Sequence, residues 1–337
     1  AAKDRYGVTT QGVSMNRKSS RKAGNHLVFS LMLTFVLFLG SSVRGAEGLQ
    51  KIRVGFPSLA FSYMPYYVAQ EKGFLKKYGV EAEYIQMRTG IQPQAVINGN
   101  INFFPSVSTG ISAAVSGLPL VVVLNFCDGA PWILVTQKDI NKPQDLIGKQ
   151  VAVSGLRTSP HYFLQAALKK WEIAEKDVGI ISTGGTADSF IALASNRVAG
   201  TVLTPPFDDK AVSLGYKKFM FLGDLVDIPY VGVVTSQAQV KNNRGMVRGT
   251  LAALTDSVAW IRANRPESSK MIADKFKVTA AEAEQTYNTL IKILNKDGRL
   301  DPKVARGYLD LLRQERPIAA DFDPQKVLDF SLLPGNL

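Results

Sequence analysis

The stretch KIRVGFPSLAFSYMPYYVAQEKGFLKKYG, residues 51–79, contains the pattern that decides the fold. Its first six residues alternate in polarity and end at Pro57-Ser58, which indicates a β-strand followed by a turn. A helix is predicted from Pro65 to about Lys72, because proline suits the first helical turn and Gly73 suits the C-terminal end. A strand followed closely by a helix is the repeating unit of α/β proteins.

The same strand-and-helix unit recurs as far as Gln237, which predicts an α/β fold with much parallel sheet. Further strands are predicted at residues 80–86, 101–106, 121–126, 133–137, 149–155, 178–183, 199–204, 217–223 and 230–236. Further helices are predicted at residues 93–98, 109–116, 160–171 and 187–196, and long helical patterns follow Gln237.

This order of elements predicts two α/β lobes joined by two crossing segments, near residues 132–138 and 230–236. Proline and glycine residues flank both crossings, as they often do in linkers between packed units. We expect lobe I to comprise residues 46–136 and 235–337, and lobe II to comprise residues 137–234.

Half of the net charge of the chain lies in its first 45 residues. The 337 residues include 40 Lys and Arg against 28 Asp and Glu, a net charge of +12, yet residues 1–45 hold seven of these basic residues and one acid. The remainder shows no basic cluster interleaved with aromatics, so we expect no nucleic-acid binding. A single Cys and two His residues exclude an intramolecular disulfide and a cysteine or multi-histidine metal site. We expect no metal and no cofactor.

Residues 15–45 have the pattern of a secretory signal peptide. Basic residues follow Met15, and a 13-residue apolar run from Leu27 to Leu39 is shorter than the ~20 residues of a spanning helix. Small residues before the Gly45–Ala46 bond suit cleavage there, although Arg44 leaves an uncleaved anchor as an alternative. Residues 1–14 are interpreted as a non-native or mis-called extension, and export to the periplasm is expected.

Hydroxyl-rich or glycine-rich loops stand at four predicted strand-to-helix junctions, at residues 57–64, 106–109, 154–159 and 183–189. In parallel sheets such junctions gather at the carboxyl ends of the strands, where ligands bind. Each one also offers backbone N–H groups at a helix N-terminus, which suits an anion. Helix capping alone would explain any one of these loops. Four of them, two in each lobe, favour a shared cleft.

Arg157 is the most specific candidate, because a guanidinium can bind a carboxylate or sulfonate with two parallel hydrogen bonds. A solvated loop arginine is the alternative. Motifs of serine hydrolases, zinc proteases and nucleotide-binding loops are absent from the sequence, and His161 without a partner is expected to be structural. We therefore predict no catalytic residue. The predicted substrate-binding residues are Ser58, Phe61, Ser62, Tyr63, Ser106, Ser108, Thr109, Trp132, Ser154, Arg157, Thr158, Ser159 and Asp188.

Four segments resemble one known family. They are PSLAFSYMPYYVAQEKGFLKKYG from Pro57, INGNINFF at 97–104, DLIGKQVAVS at 145–154, and TPPF ending at Phe207. They are similar to periplasmic substrate-binding proteins of the nitrate/sulfonate/taurine and thiamine-pyrimidine-precursor group of ABC importers, over about residues 50–270.

The resemblance implies the type II periplasmic binding protein fold, with two α/β lobes, a two-segment hinge and a ligand cleft between the lobes. The family's ligand loops correspond to Ser58–Tyr63, Ser106–Thr109 and Ser154–Ser159. One branch of the family makes the thiamine pyrimidine with a cysteine-rich iron-binding motif. The lone Cys127 does not support that activity here.

The leading hypothesis is an exported, monomeric receptor that captures a small solute and delivers it to an ABC permease and its ATPase. We expect a small organic anion, either a sulfonate or a carboxylate, with nitrate also considered. A neutral pyrimidine-like heterocycle is the alternative, because Phe61, Tyr63 and Trp132 would suit a stacked ring. Two further hypotheses are a periplasmic enzyme that uses His161 and Asp188, and a sensor subunit that carries the bound ligand to a receptor.

Overall fold

The computed structural model describes residues 48–334, apart from Asp128, Asp227, Lys296, Glu315 and Ala320. The predicted signal peptide and the predicted extension at residues 1–14 lie outside the described residues. The described strands are β1 (Gln50–Phe56), β2 (Val80–Gln86), β3 (Phe104–Ser106), β4 (Leu120–Cys127), β5 (Ile133–Thr136), β6 (Gln150–Val153), β7 (Gly179–Ser182), β8 (Gly200–Leu203), β9 (Lys217–Phe221) and β10 (Val231–Ser236).

These strands form three sheets that fall into two groups. In the first group, β1 pairs with β2 in parallel, and β10 lies between β3 and β4, antiparallel to both. An isolated bridge from Val54 to Phe103 links these two sheets. The second group is a five-stranded sheet of order β7-β6-β8-β5-β9, in which only β5 contributes antiparallel pairings.

The chain passes between the two groups twice, from Cys127 to Ile133 and from Phe221 to Val231. Strand β5 pairs with β8 and β9, whereas residues 133–136 were expected in lobe I. Strand β10 pairs with β3 and β4, although most of it was expected in lobe II. The segments predicted to be crossings are thus strands whose backbone groups bond to neighbouring strands. We propose lobe boundaries within residues 128–132 and 222–230.

Helices surround the sheets, and the last four complete the first group. The described α-helices are α1 (Met64–Glu71), α2 (Phe74–Lys77), α3 (Gln92–Ile97), α4 (Val107–Val115), α5 (Ser159–Lys170), α6 (Thr186–Ala194), α7 (Phe207–Ser213), α8 (Gln237–Asn242), α9 (Arg244–Ala263), α10 (Arg265–Phe276), α11 (Ala280–Ile293) and α12 (Pro302–Arg313). Helix α9 packs against α1 and α2, and the Tyr308 hydroxyl on α12 donates to the Ser108 carbonyl on α4.

Local sequence explains most of these elements. Every residue of β4 is buried, as its run LVVVLNFC, which is apolar except for Asn125, predicts. Helix α11 begins with a capping box, in which Thr279 and Glu282 each accept a hydrogen bond from the other's backbone N–H. Strand β3 is shorter than the predicted strand at 101–106, because the backbone N–H groups of Asn102 and Phe103 donate to the carbonyl of Arg53, which lies in β1. Among residues 48–334, no described helix combines the length and the apolar character that crossing a membrane requires.

Candidate ligand-binding site

A small cavity lies where the two groups of strands meet. Its volume is about 30 Å³, and it is lined by loops at the ends of β1, β2 and β6 and by the starts of α4, α5, β5 and β10. The lining residues are Pro57, Tyr63, Thr89, Ser106, Trp132, Ser154, Thr158, Ser159, Pro160, Thr186, Tyr230 and Val231. We call this the central cavity. Strand-end loops from both groups meet here, as expected for a ligand site of an α/β protein.

The N-termini of three helices approach the central cavity. Helices α4 and α5 follow the N-cap residues Ser106 and Thr158, and α6 begins at Thr186 after Gly185. Neither the Ser106 nor the Thr158 side chain caps its own helix, and Gly185, the N-cap residue of α6, has no side chain. The cavity lining contains no Asp, Glu, Lys or Arg. Its electrostatic character therefore comes from helix N-termini and hydroxyl groups, which favour a negative or neutral polar group.

A hydrogen bond beside the central cavity joins the two groups of strands. The Ser58 Oγ, after β1, accepts from the backbone N–H of Thr186 at 3.1 Å. On the side of the second group, the Trp132 indole N–H, just before β5, donates to the Ser159 Oγ at the start of α5 at 2.8 Å. A volume of 30 Å³ holds about one water molecule, whereas drug-sized ligands occupy cavities of roughly 300 Å³ or more. An organic ligand therefore needs the two groups to separate before it can enter.

Aromatic side chains form one wall of the central cavity. The rings of Trp132 and Tyr230 meet edge to face with centroids 5.5 Å apart, and the Ser62 hydroxyl donates to the Tyr230 hydroxyl at 3.2 Å. Burial raises the pKa of Tyr63 and of Tyr230 well above that of a free phenol. Both hydroxyls thus stay protonated and neutral and can donate hydrogen bonds to a bound anion.

The structure places the thirteen predicted site residues in four settings. Six line the central cavity: Tyr63, Ser106, Trp132, Ser154, Thr158 and Ser159. Ser58 and Ser62 bond to residues of its lining, and the Asp188 carboxylate lies next to Gly185 at the start of α6.

The other four lie away from the central cavity. Thr109 and Arg157 line a neighbouring larger cavity. The side chains of Phe61 and Ser108 are fully buried and lie outside the lining of the central cavity, so we remove both from the proposed site. Phe61 begins a short 3₁₀ turn whose three residues are all buried, and within this turn it is Tyr63 that lines the cavity.

Sequence reasoning missed Pro57, Thr89, Pro160, Thr186, Tyr230 and Val231 as lining residues. Thr89 follows the carboxyl end of β2. The expectation that ligands bind at the carboxyl ends of parallel strands, which selected the other four junctions, therefore applied to Thr89 as well. Thr186 stood in a recognised loop, between Gly185 and Asp188. Tyr230 had no local signal, because its place in the cavity depends on β10 lying between β3 and β4.

Comparison with known proteins identifies the family. The NMT1/THI5 like family matches residues 60–268 of this chain. The taurine-binding periplasmic protein of Escherichia coli strain K12 is 28% identical over 227 residues, which cover 66% of this chain and 63% of that relative. The match thus spans a little under two thirds of the relative's length.

Solved structures have the same fold at lower identity. The alkanesulfonate-binding protein SsuA of Xanthomonas axonopodis pv. citri, bound to MOPS, superposes with a TM-score of 0.69 at 16% identity, covering 84% of this chain and 99% of that one. The periplasmic nitrate-binding protein NrtA of Synechocystis PCC 6803 gives a TM-score of 0.68 at 15% identity, covering 85% and 87%. The chain therefore belongs to the NMT1/THI5-like family and has the type II periplasmic binding protein fold, as the sequence predicted.

Proposed function

We propose that this protein is the exported solute-binding component of an ABC importer, which binds a small organic sulfonate between two lobes. One observation carries the proposal: three helix N-termini and several hydroxyl groups, drawn from both groups of strands, surround one cavity that contains no charged side chain. The membership of the family and the binding proteins it resembles support the same function.

An anion suits this cavity better than a cation does. Each helix N-terminus stabilises a negative charge by roughly 0.3–1 kcal/mol, and by up to ~2 kcal/mol in partly buried geometries. The lining contains no carboxylate that would repel an anion. A sulfonate presents three acceptor oxygens, so it could accept hydrogen bonds from all three helix starts together with hydroxyls such as those of Ser106 and Ser154.

The proposed mechanism is closure around the ligand. In an open state each lobe presents half of the donors, and in the closed state both halves contact the ligand, so the ligand favours closure through its differential affinity for the two states. The two crossings at residues 128–132 and 222–230 would act as the hinge. We propose that the closed form, a monomer in the periplasm, is recognised by a membrane permease coupled to an ATPase.

A ligand panel tests this function. We expect ethanesulfonate and propane-1-sulfonate to raise the melting temperature and to bind in calorimetry, with acetate, nitrate and a pyrimidine as competing classes. Small-angle scattering should show a more compact particle when the best ligand is present. Binding of the pyrimidine alone would favour the alternative that Tyr63, Trp132 and Tyr230 stack against a heterocycle, and a particle of unchanged size at saturation would contradict closure.

Trp132 should report closure by its fluorescence. Its side chain is buried and lines the central cavity where the two groups of strands meet, so opening would expose the ring to water. We expect a bound sulfonate to shift the tryptophan emission to shorter wavelength. The shift should disappear in Trp132→Phe and persist in Trp171→Phe, whose ring packs against Phe219 within the second group. A full shift in Trp132→Phe at saturation, checked by calorimetry, would argue against closure at this point.

A further inference from the structure

A second cavity opens directly beside the central cavity. Its volume is about 700 Å³, and it lies between α3 and α4 on one side and α5 on the other. Thr158 lines both cavities, so the two are adjacent at the start of α5. We call the larger one the rim cavity. Unlike the central cavity, it contains charged side chains, which are Arg157, Glu175 and Arg316.

Arg316 and Glu175 both have partners within the protein. The Arg316 guanidinium donates to the Ser112 carbonyl, to the Ser112 hydroxyl and to the Ser116 hydroxyl, all on or next to α4. The Glu175 carboxylate accepts from Gln165 at 2.6 Å and lies 3.2 Å from the His161 Nε2. The serine partners leave the Arg316 charge uncompensated, so the lining carries two positive charges against one negative charge.

Arg157 differs from both, because its guanidinium has no hydrogen bond or ion pair within the described part of the chain, although its backbone is fixed. Its φ is +56°, a left-handed conformation that is uncommon for a residue other than glycine. The His161 Nδ1 accepts the Arg157 backbone N–H at 3.1 Å, and His161 is itself buried. The backbone of Arg157 is thus fixed beside the rim cavity, and its exposed guanidinium has five donors available.

We propose that the rim cavity binds a second acidic group of the ligand through Arg157. This inference rests on the proposed function, since the ligand's sulfonate occupies the central cavity. It narrows the substrate class to short sulfonates that carry a carboxylate or a second sulfonate at the far end. The uncompensated positive charge of the lining favours such a tail over an ammonium group, and a volume of 700 Å³ accommodates it.

Three probes of similar chain length test the proposal: propane-1-sulfonate, 3-aminopropane-1-sulfonate and 3-sulfopropanoate. They differ in the tail, which is apolar, cationic or anionic. We expect 3-sulfopropanoate to bind about twofold to fivefold more tightly than propane-1-sulfonate, because Arg157 is exposed and solvent screens an ion pair there. Calorimetry at one pH and one ionic strength gives the three dissociation constants.

The variant Arg157→Gln removes the charge and keeps most of the side-chain length. It should abolish the preference for 3-sulfopropanoate and lower the affinity for propane-1-sulfonate less, because that probe presents no tail charge to residue 157. Arg157→Lys should retain part of the preference, because a point charge lacks the planar fork. Arg248→Gln, at an exposed position on α9, makes the same charge change away from both cavities and should retain the full preference.

The affinities of the three probes decide whether the rim cavity binds an acidic tail through Arg157. Equal affinity for the three probes, or a preference that survives Arg157→Gln, would overturn the assignment of the rim cavity while leaving the sulfonate-binding function intact. Tighter binding of 3-aminopropane-1-sulfonate would also overturn it, since Glu175 would then be recognising an ammonium group. Failure of all three probes to bind would refute the proposed function and this inference with it.

Discussion

Replacing Gly185 with alanine is expected to weaken ligand binding about tenfold to a hundredfold while leaving the fold intact. A Cβ at residue 185 would lie 2.6 Å from the Cβ and 2.7 Å from the Oγ of Ser58, which belongs to the other group of strands. The backbone itself accepts alanine, because the φ of Gly185 is −162° and therefore extended. Overpacking of this kind costs about 1–3 kcal/mol. That cost applies only when the two groups are in contact, so it disfavours the closed state.

Calorimetry with the best sulfonate measures this loss, and denaturant unfolding checks that stability changes by less than ~0.5 kcal/mol. The control is Gly245→Ala, at a position on α9 that lines neither cavity, since a Cβ there meets no atom within 4 Å. A second substitution, Ser58→Gly, removes the side chain that the new methyl group meets and should restore part of the affinity. Affinity equal to that of the parent in Gly185→Ala would show that the ligand does not require contact at this point.

The largest effect on stability is expected for Gly232→Ala. Gly232 lies in β10, the central strand of the three-stranded sheet, opposite Asn125. A Cβ there would lie 2.0 Å from the Leu124 carbonyl oxygen and 2.8 Å from the Asn125 Cα. Backbone atoms cannot move aside as a flexible side chain can, so the pairing of β10 with β4 must separate. The Tyr66 hydroxyl, which donates to the Gly232 carbonyl at 2.6 Å, would lose its partner as well.

We expect Gly232→Ala to lower the free energy of unfolding by about 3–5 kcal/mol, the upper part of the range for single substitutions. Guanidinium unfolding followed by circular dichroism measures the change. Gly245→Ala is the matched control, because its Cβ meets no atom within 4 Å and the residue lies in α9, where alanine is the better helix former. An unchanged denaturation midpoint for Gly232→Ala would mean that β10 does not pair closely with β4 in solution.

Local sequence patterns predicted most elements and part of the site. Strands β1 and β2 and helix α1 match their predicted ranges to within a residue or two, because alternating polarity, Pro65 and Gly73 act over short distances. The family and the fold were predicted correctly from the sequence of residues 57–79 and of three shorter segments.

What sequence reasoning missed depends on contacts between distant parts of the chain. The placement of β5 and β10 follows from which strands they pair with, and neither the Pro nor the Gly residues beside them carry that information. Phe61 and Tyr63 are both aromatic and lie two residues apart in one turn. Only the geometry of that turn decides which of the two rings lines the central cavity. Tyr230 lines the cavity for a similar reason, since β10 brings it there.

The strand order also bears on the sequence in which the molecule can assemble. All strands of the five-stranded sheet, β5 to β9, come from one continuous stretch, residues 133–221. The first group lacks its central strand until residues 231–236 are available, because β10 separates β3 from β4. Contacts of such long sequence separation form slowly, since the intervening chain must first be closed into a loop. Residues 133–221 can therefore complete their sheet early, whereas β3 and β4 cannot pair with β10 until a segment more than a hundred residues further along the chain has been synthesised.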